Sequence, residues 1–141
     1  MEERLLLFTV RGEGYAFELQ EVAEVMEPSE SYPIPKAPVH FVGLINFHGA
    51  LTALVDLGLY LGKGRQARSQ GKFLVLDPRL AGLALWVDGV ESVVPASTIL
   101  ARSAGDGALC TERLETAQGN YRLVKVETLL QALEQGLAGA A

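Results

Sequence analysis

The residues of this chain that could support catalysis are few and scattered. Residues 62–67 (GKGRQA) match a relaxed form of the glycine-rich dinucleotide fingerprint, and residues 67–71 (ARSQG) superficially resemble a serine nucleophile elbow. A dinucleotide site needs a helix after its glycines and an acidic residue about 20 positions further on. A nucleophile elbow needs a strand before its serine and a helix after it. Both segments lie in a basic stretch with no helical pattern, so we expect an exposed loop there.

The residues that could bind a metal are equally isolated. His40, His48 and Cys110 could act as ligands, but none has a second ligand at the short spacing typical of metal sites. Cys110 lies in a predicted strand, where a small buried side chain is expected, and Trp86 lies among apolar residues and is expected in a core or an interface. No pair of carboxylates stands out for acid–base chemistry. The sequence therefore predicts no metal, no cofactor and no enzymatic activity.

The composition predicts a small folded protein that binds neither nucleic acid nor an anionic membrane surface. The chain has 141 residues, of which 49% are hydrophobic, and a formal net charge of −5. That length suits a single domain over 1–141, or two subdomains that share a core. An acidic balance disfavours nucleic acid, which requires clustered cations, and it disfavours anionic lipid for the same reason.

The location predicted from the sequence is cytoplasmic. The first residues, including Glu2 and Glu3, lack the basic start and long apolar run of a secretory signal. No apolar run is long enough to cross a bilayer, so we expect no direct membrane insertion. The single cysteine, Cys110, cannot form a disulfide within the chain.

The hydrophobic pattern predicts an all-β fold of many short strands. Apolar or alternating segments indicate strands at 5–10, 15–19, 41–47, 51–55, 73–77, 83–94, 109–116 and 121–126. Turns are predicted at 11–14, 48–49, 78–79, 88–89 and 119–120. Helical spacing indicates a short helix or turn at 19–25, one helical turn at 57–61 and a short C-terminal helix from 129 onwards. We expect the fold to span residues 4–135 and the tail, 136–141, to fray.

Two further segments are predicted to be connectors. Pro33, Pro35 and Pro38 force extended backbone between the strands on either side. Residues 62–72 carry four cations and no acid, which indicates a solvated loop with acidic partner contact as a secondary interpretation.

The order of several short motifs resembles the CheW-like domain family. The motifs are VAEV at 22–25, the proline segment at 33–38, VGLINFHG at 42–49, LVDL at 54–57, GLALWVDGV at 82–90 and LVKVETLL at 123–130. The resemblance covers roughly residues 4–135. It implies two small interlocked SH3-like five-stranded barrels that share a core, with short helices including one at the C-terminus.

The resemblance also implies a role. Members of this family are scaffolds in chemotaxis-type signal transduction that couple chemoreceptors to a CheA-type histidine kinase. Their partners are the regulatory domain of that kinase, which has the same fold, and the cytoplasmic tip of the receptors. No cofactor takes part. A scaffold of this kind can transmit a state by binding one conformation of its partner better than another.

The candidate partner-binding residues lie on the matching motifs. They are Val22, Glu24, Val42, Leu44, Asn46, His48, Gly49 and Asp56. Several also have a structural interpretation. Asn46 and Gly49 suit a tight turn, and Asp56 suits a helix cap. The three aliphatic residues suit a core, and the second interpretation is that one face of this core is open to partners. Glu24 could equally be a solvated charge on a short helix.

His48 is the departure from the family pattern, which usually has arginine at this position. The planar fork of arginine can grip a carboxylate with two hydrogen bonds, which imidazole cannot reproduce. The departure puts the usual receptor or kinase contact in doubt. Our hypothesis is that Glu24 and His48 lie close together and that His48 tunes partner binding with pH.

Three alternatives remain open from the sequence. The chain could be a divergent CheW-like module of a signalling array outside chemotaxis. It could be a small barrel that binds RNA or another ligand, which retention on heparin would favour. It could be a small enzyme whose site is assembled in three dimensions, which a deep pocket lined by polar groups would favour.

Overall fold

The chain folds into two β-sheets with two helices. The computed structural model describes residues 2–67, 70–107 and 109–139. Within those residues the elements are β1 (Arg4–Val10), β2 (Glu13–Glu18), β3 (Val22–Met26), β4 (Phe41–Phe47), β5 (Ala50–Asp56), α1 (Leu57–Tyr60), β6 (Lys72–Leu76), β7 (Leu83–Val87), β8 (Gly89–Pro95), β9 (Ala101–Ala104), β10 (Cys110–Thr116), β11 (Gly119–Val124) and α2 (Val126–Gly139). Single 3-10 turns lie at Leu19–Glu21 and Ala96–Thr98.

The two sheets are interlocked through the chain order. The first sheet has the order β8-β1-β2-β11-β10-β9, and the second has the order β3-β6-β7-β5-β4. The whole second sheet is therefore inserted between β2 and β8. Because β2 pairs in parallel with β11, the N-terminal hairpin completes a sheet whose remaining strands come from the C-terminal half.

One large apolar core joins the two sheets. It contains Phe8 and Phe17 from the first sheet, Val55 and Leu85 from the second, and Leu129 from α2, each essentially inaccessible to solvent. Two smaller clusters lie within single sheets. One of them includes Leu5, Leu7 and Leu114, and the other includes Ile45, Leu54 and Phe73. This arrangement, a shared core with a smaller core inside each sheet, keeps the two sheets in a fixed relation.

Two tight hairpins confirm turns that were predicted from the sequence. Arg11 and Gly12 join β1 to β2 with φ values of 48° and 82°, and His48 and Gly49 join β4 to β5 with φ values of 49° and 87°. Positive φ at both central residues defines the hairpin turn whose twist matches the flanking strands. Glycine supplies this conformation at the second position without steric cost.

The sequence was wrong about four local elements. The proline segment at 33–38 was predicted to be extended, but it contains a turn in which Lys36 has a φ of 61° and the backbone N–H of Ala37 donates to the carbonyl of Ile34. Residues 22–26 form a strand paired with β6, although the spacing of Leu19, Val22 and Val25 indicated a helix or turn. Pairing with a buried strand overrides the weak helical pattern there. Strand β9 was missed because all four of its residues are polar or small and exposed. The turn between β10 and β11 lies at residues 117–118, two residues before the predicted 119–120.

The β-rich segment at 83–94 divides at the turn predicted at 88–89, with β7 in the second sheet and β8 in the first. Asp88 marks the crossing, where its backbone N–H donates to the carbonyl of Thr9 and its Oδ2 accepts from the backbone N–H of Gly12 at 2.9 Å. The C-terminal helix is longer than predicted, since residues 136–139, which were expected to fray, have helical backbone. Residues 140 and 141 lie outside the described residues.

Candidate partner-binding surface

The most informative contact of the candidate site joins two edges of the second sheet. Glu24 lies on β3 and His48 lies at the tip of the β4–β5 hairpin, and β3 and β4 are the two edge strands of that sheet. Their side chains nevertheless meet, with His48 Nε2 at 3.1 Å from Glu24 Oε1. The sheet therefore curls until its edges approach. We call the gap between β3 and β4 the seam.

The proximity of Glu24 and His48 was part of the hypothesis formed from the sequence. Both side chains are accessible, with 71% of the His48 side chain and 43% of the Glu24 side chain exposed. Glu24 lies on a strand and not on the short helix that the sequence allowed. An exposed pair of this kind contributes little to stability and is available to a partner.

The hairpin that carries His48 is fixed by Asn46. Its Oδ1 accepts a hydrogen bond of 2.7 Å from the backbone N–H of Gly49, as the turn interpretation of both residues predicts. Histidine is among the residues that tolerate positive φ, which His48 adopts. The turn therefore holds the imidazole at the tip of the hairpin next to β3.

An apolar surface extends from this hairpin along its outer side. Leu44 is half-buried and exchanges two backbone hydrogen bonds with Tyr32, of 2.7 and 2.8 Å, which tie the segment after β3 to the edge of β4. Leu51 lies opposite Asn46 and is 72% exposed, and Tyr32 is 56% exposed. We call Tyr32, Leu44, Asn46, His48 and Leu51 the hairpin face. Exposed apolar residues grouped in this way are typical of protein interaction sites.

Sequence reasoning missed Tyr32 and Leu51. Leu51 could have been found, because strict alternation along β5 places it on the face opposite the buried Thr52 and Leu54. Tyr32 could not have been found, because only its isolated backbone pairing with Leu44 places it on the hairpin face. Of the predicted aliphatic residues, Val22 is half-buried against the shared core and Val42 is half-buried against the smaller core of the second sheet.

Asp56 lies beneath the surface and holds the loop that follows β5. It is 1% exposed, its Oδ1 accepts from the backbone N–H of Leu59 at 3.1 Å, and its Oδ2 accepts from the backbone N–H of Gln66 at 2.7 Å. The first bond is the predicted helix cap, while the second was not foreseen because it spans a loop. Any part that Asp56 plays in partner binding acts through the loop it holds.

The described residues of the two segments considered for catalysis lie in a loop, and the residues considered as metal ligands lie on separate elements. Residues 64–67 are irregular, and Arg68 and Ser69 of the elbow-like segment lie outside the described residues. The ring of His40 packs 4.9 Å from that of Tyr60, and burial lowers the pKa of His40. Cys110 is half-buried on β10, and burial raises the pKa of its thiol. In the part of the chain that the structure describes, no three His, Cys, Asp or Glu side chains cluster as metal ligands would.

Two cations of the basic segment at 62–72 pair with acids, one on β2 and one directly after β3. Lys63 pairs with Glu13 and Lys72 pairs with Glu27, the latter at 2.8 Å. The hydrogen bond from Lys63 is the main reason that the pKa of Glu13 is lowered. These pairs attach the loop to the sheets at both of its ends.

Within the described residues, no helix is long and apolar enough to cross a membrane.

The fold and the candidate site together define a two-barrel β module with an exposed hairpin face. The sequence profile of the CheW-like domain matches residues 4–131, so the chain belongs to the CheW-like domain family.

Two curated proteins are similar in sequence to part of this chain. The chemotaxis protein CheW of Rhizobium meliloti (strain 1021) is 27% identical over 94 residues, which cover 66% of this chain and 61% of the relative. The chemotaxis protein CheW of Thermotoga maritima is 29% identical over 94 residues, which cover 66% of this chain and 62% of the relative. The match therefore spans less than two thirds of the length of either relative.

A solved structure confirms the fold. The scaffolding protein TtCheW from Thermoanaerobacter tengcongensis superposes with a TM-score of 0.73 at 22% sequence identity, covering 89% of this chain and 90% of that protein. The predicted all-β fold with two SH3-like barrels is thereby confirmed.

Proposed function

We propose that this chain is a scaffold that couples chemoreceptors to a CheA-type histidine kinase, and that it acts in the cytoplasm by binding and not by catalysis. The observation that carries the proposal is the match to the CheW-like domain over residues 4–131. Relatives that carry the names chemotaxis protein and scaffolding protein support the same role.

The hairpin face, together with Glu24, is the surface we assign to partner contact. It offers exposed apolar area at Leu51 and Tyr32, an amide at Asn46, and a charged or polar pair at Glu24 and His48. Apolar residues supply binding energy, while the polar groups at the rim fix orientation and discriminate among partners. Val42 precedes Leu44 on β4 and packs on the smaller core of the second sheet, and Gly49 completes the hairpin turn. Val22 packs on the shared core, and Asp56 holds the loop that follows β5.

A coupling experiment tests the proposal. The cytoplasmic fragment of a receptor from the same source is immobilised, and retention of the CheA-type kinase is measured with and without this chain. We expect retention of the kinase to require the chain and to saturate with it. Kinase retention that is unaffected by the chain, with the chain shown to be folded by circular dichroism, would contradict the proposal.

A second candidate role is favoured by one residue. His48 stands where arginine is usual in the CheW-like family, and it contacts Glu24 through a single nitrogen. A divergent module that serves another signalling array would show binding to a different kinase regulatory domain of the same source. Comparing all such domains in parallel separates the two roles, because each predicts a different strongest partner.

A further inference from the structure

A second surface lies at the other end of the seam from the Glu24–His48 contact. There a groove of about 790 Å³ opens between the segment that follows β3 and the loop that follows α1. Its apolar lining includes Phe41, Val42, Leu59 and Trp86. Val42 and Trp86 also pack against the smaller core of the second sheet, so the groove is a mouth of that barrel. Barrel mouths with apolar linings are common binding sites.

The outer wall of the groove has free main-chain groups. Residues 29–31 lie in irregular backbone between Pro28 and the paired Tyr32. Within the described part of the chain, residues 29–31 form no main-chain hydrogen bond. Extended backbone with unpaired groups next to apolar pockets is what a bound peptide strand requires, because main-chain hydrogen bonds give affinity and the pockets select side chains.

The rim of the groove carries opposite charges on its two sides. Arg65 lies on the loop after α1 and Glu30 lies on the segment after β3, and both are exposed. Neither side chain has an oppositely charged partner within ion-pair distance among the residues that the structure describes. Glu27, by contrast, is already paired with Lys72. A ligand with an acid at one end and a base at the other would therefore bind in one orientation.

We propose that this groove binds an extended peptide segment of a partner protein, with apolar side chains over Trp86 and Val42, an acidic side chain at Arg65 and a basic side chain at Glu30. The surface is distinct from the hairpin face, although Val42 borders both. Val39, which is 66% exposed on the same groove, would be covered by such a peptide.

The single tryptophan of the chain makes the proposal measurable. Trp86 lines the groove and is half-buried, so its fluorescence reports occupancy. The probes are a short acetylated peptide of sequence Lys-Thr-Leu-Thr-Leu-Thr-Asp and the same peptide with its charged ends exchanged. We expect one of them to change the emission of Trp86 saturably, and to bind more tightly than the other.

Variants then locate the binding. Arg65→Glu is expected to weaken the preferred peptide about fivefold and to reduce or reverse the preference between the two peptides. Val39→Glu is expected to abolish binding, and Arg79→Glu, which alters an exposed turn that does not line the groove, is the matched control. Circular dichroism verifies that each variant is folded.

Three outcomes would overturn the proposal. The first is that neither peptide changes the emission of Trp86 saturably. The second is that Arg65→Glu binds each peptide as tightly as the parent chain does. The third is that sedimentation measurements show the groove closed by a second copy of the chain. Because the test uses the isolated chain and peptides, its result is independent of whether the kinase and receptor bind.

Discussion

Glu24 and His48 touch across the seam of the second sheet, with Oε1 and Nε2 3.1 Å apart, although their strands lie at opposite edges of that sheet. An edge strand normally leaves a row of unpaired backbone groups exposed. Here one side-chain contact and the Tyr32–Leu44 pairing bridge the gap. The residues that we assign to partner binding are thus also residues that close the barrel.

The first prediction concerns the pH dependence of partner binding. The hypothesis formed from the sequence is that His48 tunes partner binding with pH, and its Nε2 lies 3.1 Å from Glu24 Oε1. We expect affinity for the kinase regulatory domain to differ a few-fold between about pH 6 and pH 8, and to become independent of pH in His48→Arg. Calorimetry at both pH values measures this. Unchanged binding at both pH values and in His48→Arg would refute the hypothesis.

The second prediction concerns Gly43, over which the segment after β3 passes. A methyl group added there would lie 2.5 Å from the carbonyl oxygen of Tyr32, which is backbone and cannot rotate away. Gly43→Ala should therefore displace Tyr32 and cost about 1–3 kcal/mol of unfolding free energy. Urea denaturation measures the cost. Gly89→Ala is the control, since nothing lies within 4 Å of the added methyl, and equal effects of the two variants would count against the tight approach.

The third prediction concerns the buried carboxylate of Asp56. Asp56→Ala leaves the backbone N–H groups of Leu59 and Gln66 without their acceptor, so we expect a loss of about 2–3 kcal/mol. Hydrogen exchange should accelerate at those two amides first. Retained protection at Gln66 in the variant would show that the loop is held by something else.

The fourth prediction concerns Glu21. Burial, assisted by the charge of Glu18, raises its pKa to about 6. A folded-state pKa above that of the unfolded chain means that ionised Glu21 destabilises the fold, and that this effect appears as pH rises from about 4.5 to 6. Glu21→Gln should therefore raise the urea midpoint more at about pH 7.5 than at about pH 4.5. An equal gain at both pH values would contradict the pKa assigned to this carboxyl.

The sequence predicted most of the strands because their apolar residues are buried in the shared core. Phe41–Phe47 and its two-residue turn were found with their boundaries, since alternation and the His48–Gly49 pair are local signals. Strand β9 and the strand at 22–26 were not, because only pairing with neighbours makes them strands. The contact of Glu24 with His48 was predicted from the family resemblance. The contacts of Tyr32 with Leu44 and of Gln66 with Asp56 were not predicted, because they join segments that are distant in sequence or separated by a loop.

The most direct test of the account is calorimetric titration of the kinase regulatory domain with the parent chain, with Leu51→Glu and with Arg79→Glu. Leu51 is the most exposed apolar residue of the hairpin face, whereas Arg79 lies in an exposed turn outside it. We predict one-to-one binding near micromolar affinity, about −8 kcal/mol, that is weakened at least about tenfold by Leu51→Glu and unchanged by Arg79→Glu. Binding that is absent in the parent chain, or equally strong in both variants, would contradict the assignment of this face to partner contact.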